Sequence, residues 1–173
     1  MTSKAWYKKP EMIVALSALV VSLVTTVVSI YSATTDRAYA KASVWPRIEI
    51  YPNYSGGSQV FSFSVKNNGT GPAIVKHALI SYADKPIKVW RDIPELPDVR
   101  QSHISTRILS PQQQVEPIRI TGMKRSQFIK LEKEIKITLC YCSIYEECWL
   151  TDRSNNPVKV KQCKATPSLL FEN

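Results

Sequence analysis

Glycine and histidine are scarce in this 173-residue chain, with five of the first and two of the second. The histidines, His77 in an expected strand and His103 in an expected loop, have no companion ligands at metal spacing. A histidine-built metal or catalytic centre is therefore not expected. The chain contains no GxSxG elbow, no glycine-rich phosphate loop and no HExxH helix. Those absences remove the common signs of serine hydrolases, nucleotide-binding proteins and zinc hydrolases. Acidic residues are scattered, and the one adjacent pair, Glu146-Glu147, falls in a turn where solvation is the ordinary explanation. There is no internal repeat and no low-complexity tract. The expectation is a non-enzymatic protein without a cofactor or a metal.

What the chain does have is a long apolar run, Met12 to Ala33, free of charge, proline and glycine. At about 1.5 Å rise per residue, a helix of this length crosses the roughly 30 Å hydrocarbon core of a bilayer. The formal charge is +9, and the first ten residues contribute Lys4, Lys8 and Lys9 beside Trp6 and Tyr7. Lysines favour the cytoplasmic side and aromatic rings the headgroup layer. The predicted organisation is a cytoplasmic basic N-terminus over 1–10, and a transmembrane helix with a juxtamembrane extension over 11–43. An extracytoplasmic domain follows over 44–173. Arg37 and Lys41 close the other end of the run and nearly offset the lysines. The step Ala38-Tyr39-Ala40 has the form of a signal-peptidase site. It lies well past an apolar run longer than the roughly 7–15 residues of a signal peptide. An uncleaved signal-anchor in the inner (plasma) membrane is expected, single-pass, with the C-terminal domain periplasmic or extracellular.

On a helical wheel, Ala15, Ala18, Ser22, Thr26, Ser29 and Ala33 fall on one stripe, with Val, Leu and Ile opposite. Small residues allow close approach of another helix, and hydroxyls can bond across the contact. A second transmembrane helix, from a copy of this chain or from a multi-spanning protein, fits the stripe. Equally, hydroxyls in a span can bond their own backbone. Ser32 to Lys41 has no helix breaker, so the helix should run on until Trp45-Pro46 turns the chain into strand.

From Arg47 the pattern becomes β. RIEIY alternates, and VFSFSV puts Phe61, Phe63 and Val65 on one face. Asn67 to Pro72 is a dense turn signal, with glycines able to take positive φ. Ala73–Tyr82 reads as a strand with a bulge. Further strands are expected at Ile87–Trp90, Ile104–Leu109, Val115–Ile120, Ile135–Tyr141, Trp149–Thr151 and Val158–Lys161. Only Ser126–Glu134 has helical periodicity, with Phe128, Ile129 and Leu131 as inward candidates. Residues 91–103 hold two prolines and read as a loop. Short strands at this spacing predict an all-β, two-sheet sandwich with one short helix, preceded by the long transmembrane helix.

The stretches SVWPRIEI, VKNNGTGPAIV and LCYCSIYEECWL resemble a broad group of uncharacterised bacterial membrane-anchored proteins. Those pair one N-terminal span with an immunoglobulin-like periplasmic β-sandwich. The likeness extends to about residue 160. It implies a fold and a topology, but no activity. Its usual members carry fewer cysteines than this chain.

Cys140, Cys142, Cys148 and Cys163 are the best local chemistry. Residues two apart on a strand share a face, so Cys140 and Cys142 point the same way. Cys148 lies across the short reversal SIYEE. In an oxidising compartment the even count suggests two disulfides. Of three connectivities, the reversal favours Cys142–Cys148, with Cys140–Cys163 tying in the tail. In a reducing compartment the same thiols could hold zinc, although the spacing is not that of a zinc ribbon. A redox-active pair is the third reading, without the usual C-x-x-C at a helix start.

Between residues 119 and 136 six basic side chains face two acidic ones. If the short helix turns Arg125, Lys130 and Lys133 outward, they can meet anionic headgroups or an acidic partner. A solvated helix face explains them too. Nucleic acid is not an expected partner, because the aromatic interleaving of a strand-binding platform is missing. Asn53-Tyr54-Ser55 and Asn68-Gly69-Thr70 fit the glycosylation sequon, which matters only in a eukaryotic secretory host. Two functional expectations follow. The first is a membrane-anchored binding or assembly subunit presenting a β-sandwich outside the cytoplasm. The second is a thiol-redox or metal-handling protein built on the four cysteines.

Overall fold

The computed structural model describes residues 9–54, 59–94 and 96–172. The chain divides into two compact units at Ala42/Ser43. The basic N-terminus expected over 1–10 lies almost entirely outside the described residues, which begin at Lys9.

The first unit is helix α1, Pro10–Ser43, of 34 residues. None of them is buried, and the helix is long and apolar enough to span a membrane. Proline at its first position suits a residue without an N–H where none is needed. Lys41 in the last turn complements the carbonyl end. The helix does continue ten residues past the apolar run, as the absence of a breaker predicts.

The second unit is built of two antiparallel sheets. Its strands are β1 (Ile48–Tyr54), β2 (Val60–Asn67), β3 (Ala73–Tyr82), β4 (Lys85–Ile87) and β5 (Asp98–Gln101). They continue with β6 (Ile108–Leu109), β7 (Gln114–Thr121), β8 (Ile135–Cys142), β9 (Cys148–Asp152) and β10 (Val158–Val160). One sheet has the order β1-β2-β7-β5 and the other β10-β9-β8-β3-β4, with β6 pairing β3. Helix α2, Arg125–Glu134, leads into β8.

Alternation decides which side chains meet. Ile48, Ile50, Phe61, Phe63, Val65, Ile118 and Ile120 come from the first sheet. Val75, Ala78, Ile80, Ile137, Leu139 and Tyr141 come from the second, and all share one buried cluster. Burying these side chains is the main force holding the sheets together, at about 1.5–3 kcal/mol for each large one. Phe128 of α2 closes one end by stacking on Phe61, with ring centroids 4.7 Å apart. Phe171 closes another region, meeting Trp90 edge-on at 5.0 Å, while its N–H donates to the Ala78 carbonyl.

Several sequence expectations change here. Of Ile87–Trp90 only Ile87 is strand, as the last residue of β4. The Asp92 carboxylate accepts from the N–H groups of Lys88 and Val89, at 2.9 and 3.1 Å, and folds the segment into a turn. The 91–103 loop contains β5, an edge strand pairing only with β7. Only the last two residues of Ile104–Leu109 are strand. Ile129 faces out, 38% exposed, while Phe128 and Leu131 are buried. Ile129 lies about 100° around the helix from Phe128, outside the narrow buried face of a short helix. The bulge expected in β3 falls between Val75 and His77.

The turn glycines act differently from expectation. Among the described glycines only Gly122 has a positive φ, 77°. Gly69 and Gly71 instead leave room for the backbone of Val44 to Arg47, which a Cβ at either position would overlap. Asn67, fully buried, ties this crossing together. Its Oδ1 accepts from Arg47 N and Gly69 N, at 3.1 and 3.0 Å. Its Nδ2 donates to the carbonyls of Gly71 and Leu109, at 2.8 and 3.0 Å.

Candidate functional site

The strand alternation that sends Leu139 and Tyr141 into the core sends Cys140 and Cys142 to the opposite face of the six-stranded sheet. The β8–β9 reversal is closed by Ser143, whose N–H donates to the Glu147 carbonyl at 2.8 Å. Its hydroxyl accepts from the N–H groups of Tyr145 and Glu147. That reversal sets Cys148 directly opposite Cys142. After β10 the chain turns back and lays Cys163 on the same face.

The four sulfurs are joined as Cys140–Cys163 and Cys142–Cys148, and no cysteine is free. The two bonds are neighbours: Cys142 Sγ lies 3.7 Å from Cys163 Sγ. Neither sulfur carries a hydrogen, so this is a non-bonded contact. Sγ atoms of Cys142, Cys148 and Cys163 all lie within 4.8 Å of one another. While bonded in pairs they offer no thiolate to a metal.

These three cysteines line a cleft of about 590 Å³, together with Ile74, Lys76, Glu146 and Lys161. Cys140 does not line it and is fully buried, whereas Cys163 is half-buried. His77 stands opposite Cys140 in the β3–β8 register and is buried. Burial holds its imidazole pKa below the ordinary value, so it is neutral near pH 7. His103 is exposed; its ring meets the Thr106 hydroxyl at 3.2 Å, and its carbonyl accepts from the Arg107 guanidinium at 3.1 Å.

A second polar cluster joins α2 to both sheets. Glu132 binds the Arg153 guanidinium and accepts a hydrogen bond from the Tyr54 hydroxyl. Arg153 also donates to the Ile135 carbonyl at 2.9 Å and covers the Phe63 ring at 5.2 Å. Burial first, then the bond to Glu132, pushes Tyr54 up to about 12. Arg125 lies over the Tyr54 ring at 5.5 Å. Of the three basic residues expected to face outward, Arg125 is exposed and its guanidinium also covers the Tyr54 ring. Lys130 and Lys133 are exposed beside Ile129. This cluster was not legible in the sequence, because its members lie 78 and 21 residues apart.

On α1 the stripe Ala15, Ala18, Ser22, Thr26, Ser29 and Ala33 is exposed. Ser22 donates to the Ala18 carbonyl at 2.8 Å and Thr26 to the Ser22 carbonyl at 2.7 Å. These hydroxyls therefore satisfy themselves within the helix. Of the sequons, Asn68 holds the Glu49 carboxylate at 2.6 Å. Ser55 of the other lies outside the described residues.

Residues 13–159 match the family described as Domain of unknown function (DUF8453), and the chain belongs to that family. The match takes in the apolar run from Ile13 and both sheets as far as Lys159 in β10, and it ends before Cys163. No curated protein and no solved structure matches significantly.

Proposed function

We propose that this member of the family is a single-span, membrane-anchored binding or assembly subunit without enzymatic chemistry. The reading rests on α1, a 34-residue helix with no buried residue placed ahead of a two-sheet unit. An apolar helix with no buried residue is at home only in lipid or against another apolar surface. The polar side chains of the two-sheet unit support a binding role. Glu132, Arg153, Asn67 and Asp92 are occupied in bonds that hold the fold together. Exposed Ile144, Tyr145, Leu150 and Val158 offer contact surface at the β9–β10 end.

We place the helix in the inner membrane with the N-terminus inside and the two-sheet unit outside. Support comes from Lys4, Lys8 and Lys9, and from two cysteine pairs that persist in an oxidising compartment. An immunoglobulin-like sandwich is the finer reading of the fold. Its support is strand order: β1-β2-β7-β5 runs like A-B-E-D, and β9-β8-β3-β4 like G-F-C with an added edge strand. The partner would be a second membrane helix along the Ala15–Ala33 stripe. Lys130 and Lys133 would favour an anionic surface.

Fusing alkaline phosphatase, which folds actively only outside the cytoplasm, behind residue 173 tests the placement. Activity supports it, and an inactive fusion beside a fluorescent cytosolic counterpart overturns it. Chemical crosslinking in intact membranes, followed by purification in mild detergent, tests the partner. A crosslinked product reduced by Ser22→Leu/Thr26→Leu supports the helix contact. An unaltered product locates the contact elsewhere.

A further inference from the structure

We propose that the cleft beside β8 and β9 is a disulfide-exchange site, in which a dithiol reductant opens Cys140–Cys163 and the freed Cys163 carries the exchange to Cys142. The proposal stands on the cleft and not on the partner-binding reading; it keeps the membrane-anchored subunit and replaces the part of that reading that gives it no chemistry.

Four observations carry it. Sγ of Cys142 and Sγ of Cys163, which belong to different disulfides, are 3.7 Å apart. That is contact distance for a sulfur nucleophile and its target. The attacked sulfur Cys163 and the pair that takes up the second exchange, Cys142 and Cys148, line the cleft, and only the first leaving group, Cys140, lies behind it. Cys163 is the cysteine most open to solvent, so it is the point of attack. Lys76 and Lys161 on the cleft wall outnumber Glu146 there, and positive charge favours the thiolates that exchange requires.

The steps balance. A reductant thiolate attacks Cys163 Sγ, the Cys140–Cys163 bond breaks, and Cys140 leaves as thiolate and takes a proton. The second thiolate of the reductant attacks its own sulfur in the mixed disulfide. The reductant departs oxidised, and Cys163 is released as thiolate. Cys163 then attacks Cys142 Sγ, and Cys148 leaves and is protonated. The product holds Cys142–Cys163 with free thiols at Cys140 and Cys148. Two electrons and two protons have passed from the reductant to the protein. Cys163 goes on to Cys142 rather than back to Cys140 because Cys142 is still in a disulfide, 3.7 Å away, whereas Cys140 is now a thiol and offers no bond to break. The tail stays tethered throughout, and the thiol at Cys148 opens onto the cleft, ready to pass electrons to a partner disulfide.

The test uses the full chain in mild detergent with dithiothreitol as the dithiol. One equivalent is added, the reaction is quenched with acid, thiols are alkylated, and the bonds are mapped by peptide mass spectrometry. The expected major two-thiol species carries Cys142–Cys163, with Cys140 and Cys148 alkylated. A two-thiol species that keeps either original bond as its major form overturns the proposal. Cys140→Ser provides a second readout without added reductant, with circular dichroism confirming that the fold is kept. Exchange predicts that alkylation divides between Cys148 and Cys163. Alkylation confined to Cys163 overturns the proposal.

Discussion

Gly71 lies against Val44 so closely that a Cβ on the glycine would overlap the Val44 carbonyl. The first residues of the two-sheet unit therefore cross directly over the turn between β2 and β3. Gly69 is in the same position relative to Trp45 and Arg47. Backbone on backbone cannot relax by rotating a side chain. Gly71→Ala should cost about 3 kcal/mol or more. Gly122→Ala meets open space and only a strained φ, and should cost about 1–2 kcal/mol. Thermal unfolding of the two variants, followed by tryptophan fluorescence, would show the larger drop at Gly71. Equal drops would show that the crossing is loose.

Asn67 makes this crossing specific. Replacing it with aspartate removes the two N–H groups that satisfy Gly71 and Leu109, and sets a carboxylate against their carbonyl oxygens. Asn67→Asp should destabilise by about 3 kcal/mol or more, because each orphaned buried group costs about 1–3 kcal/mol. Urea unfolding checks it, and a midpoint within error of wild type would dismiss the hub.

Tyr54 should ionise late, near 12. The folded state holds its proton more tightly than the unfolded chain, whose value is near 10. Stability from this group is complete below pH 10 and is lost as pH rises toward 12. Glu132→Gln should bring the titration toward 10, as read by the difference in tyrosinate absorbance against Tyr54→Phe. An unmoved titration would show that burial alone sets it.

His77 should make the unit sensitive to acid. Its folded pKa lies below the unfolded 6.5, so the neutral ring favours folding above that value. Stability is lost as pH falls from about 6.5 through the lowered folded value. Unfolding temperatures measured between neutral and mildly acidic pH should decline less in His77→Gln. Parallel declines would assign the acid response to other groups.

Much of this architecture is legible in single residues. Period-two runs such as Phe61-Phe63-Val65 give the strands, because a half-buried sheet forces alternation. The two-residue spacing of Cys140 and Cys142 gives their shared face for the same reason. Other features depend on partners distant in sequence. Nothing around Asn67 announces that Arg47 and Leu109 will converge on it, and nothing in SQFIKLEKE marks Glu132 as the partner of Tyr54 and Arg153. Strand β5 was hidden by Pro94 and Pro97, since a short edge strand pairs on one side only and needs no strong alternation. The turn at Lys88–Asp92 was hidden by its apolar residues, because one carboxylate bonding two backbone N–H groups decides it.

Asn155 leaves a mark on how such a protein can be crowded. Its side-chain amide accepts from Ile50 N at 2.8 Å and donates to Ile50 O at 3.2 Å, imitating a further strand beside β1. The outer rim of that sheet is therefore already occupied where a neighbouring copy would begin to zip on. Many copies packed side by side in a thin layer could then jostle without fusing into a continuous ribbon.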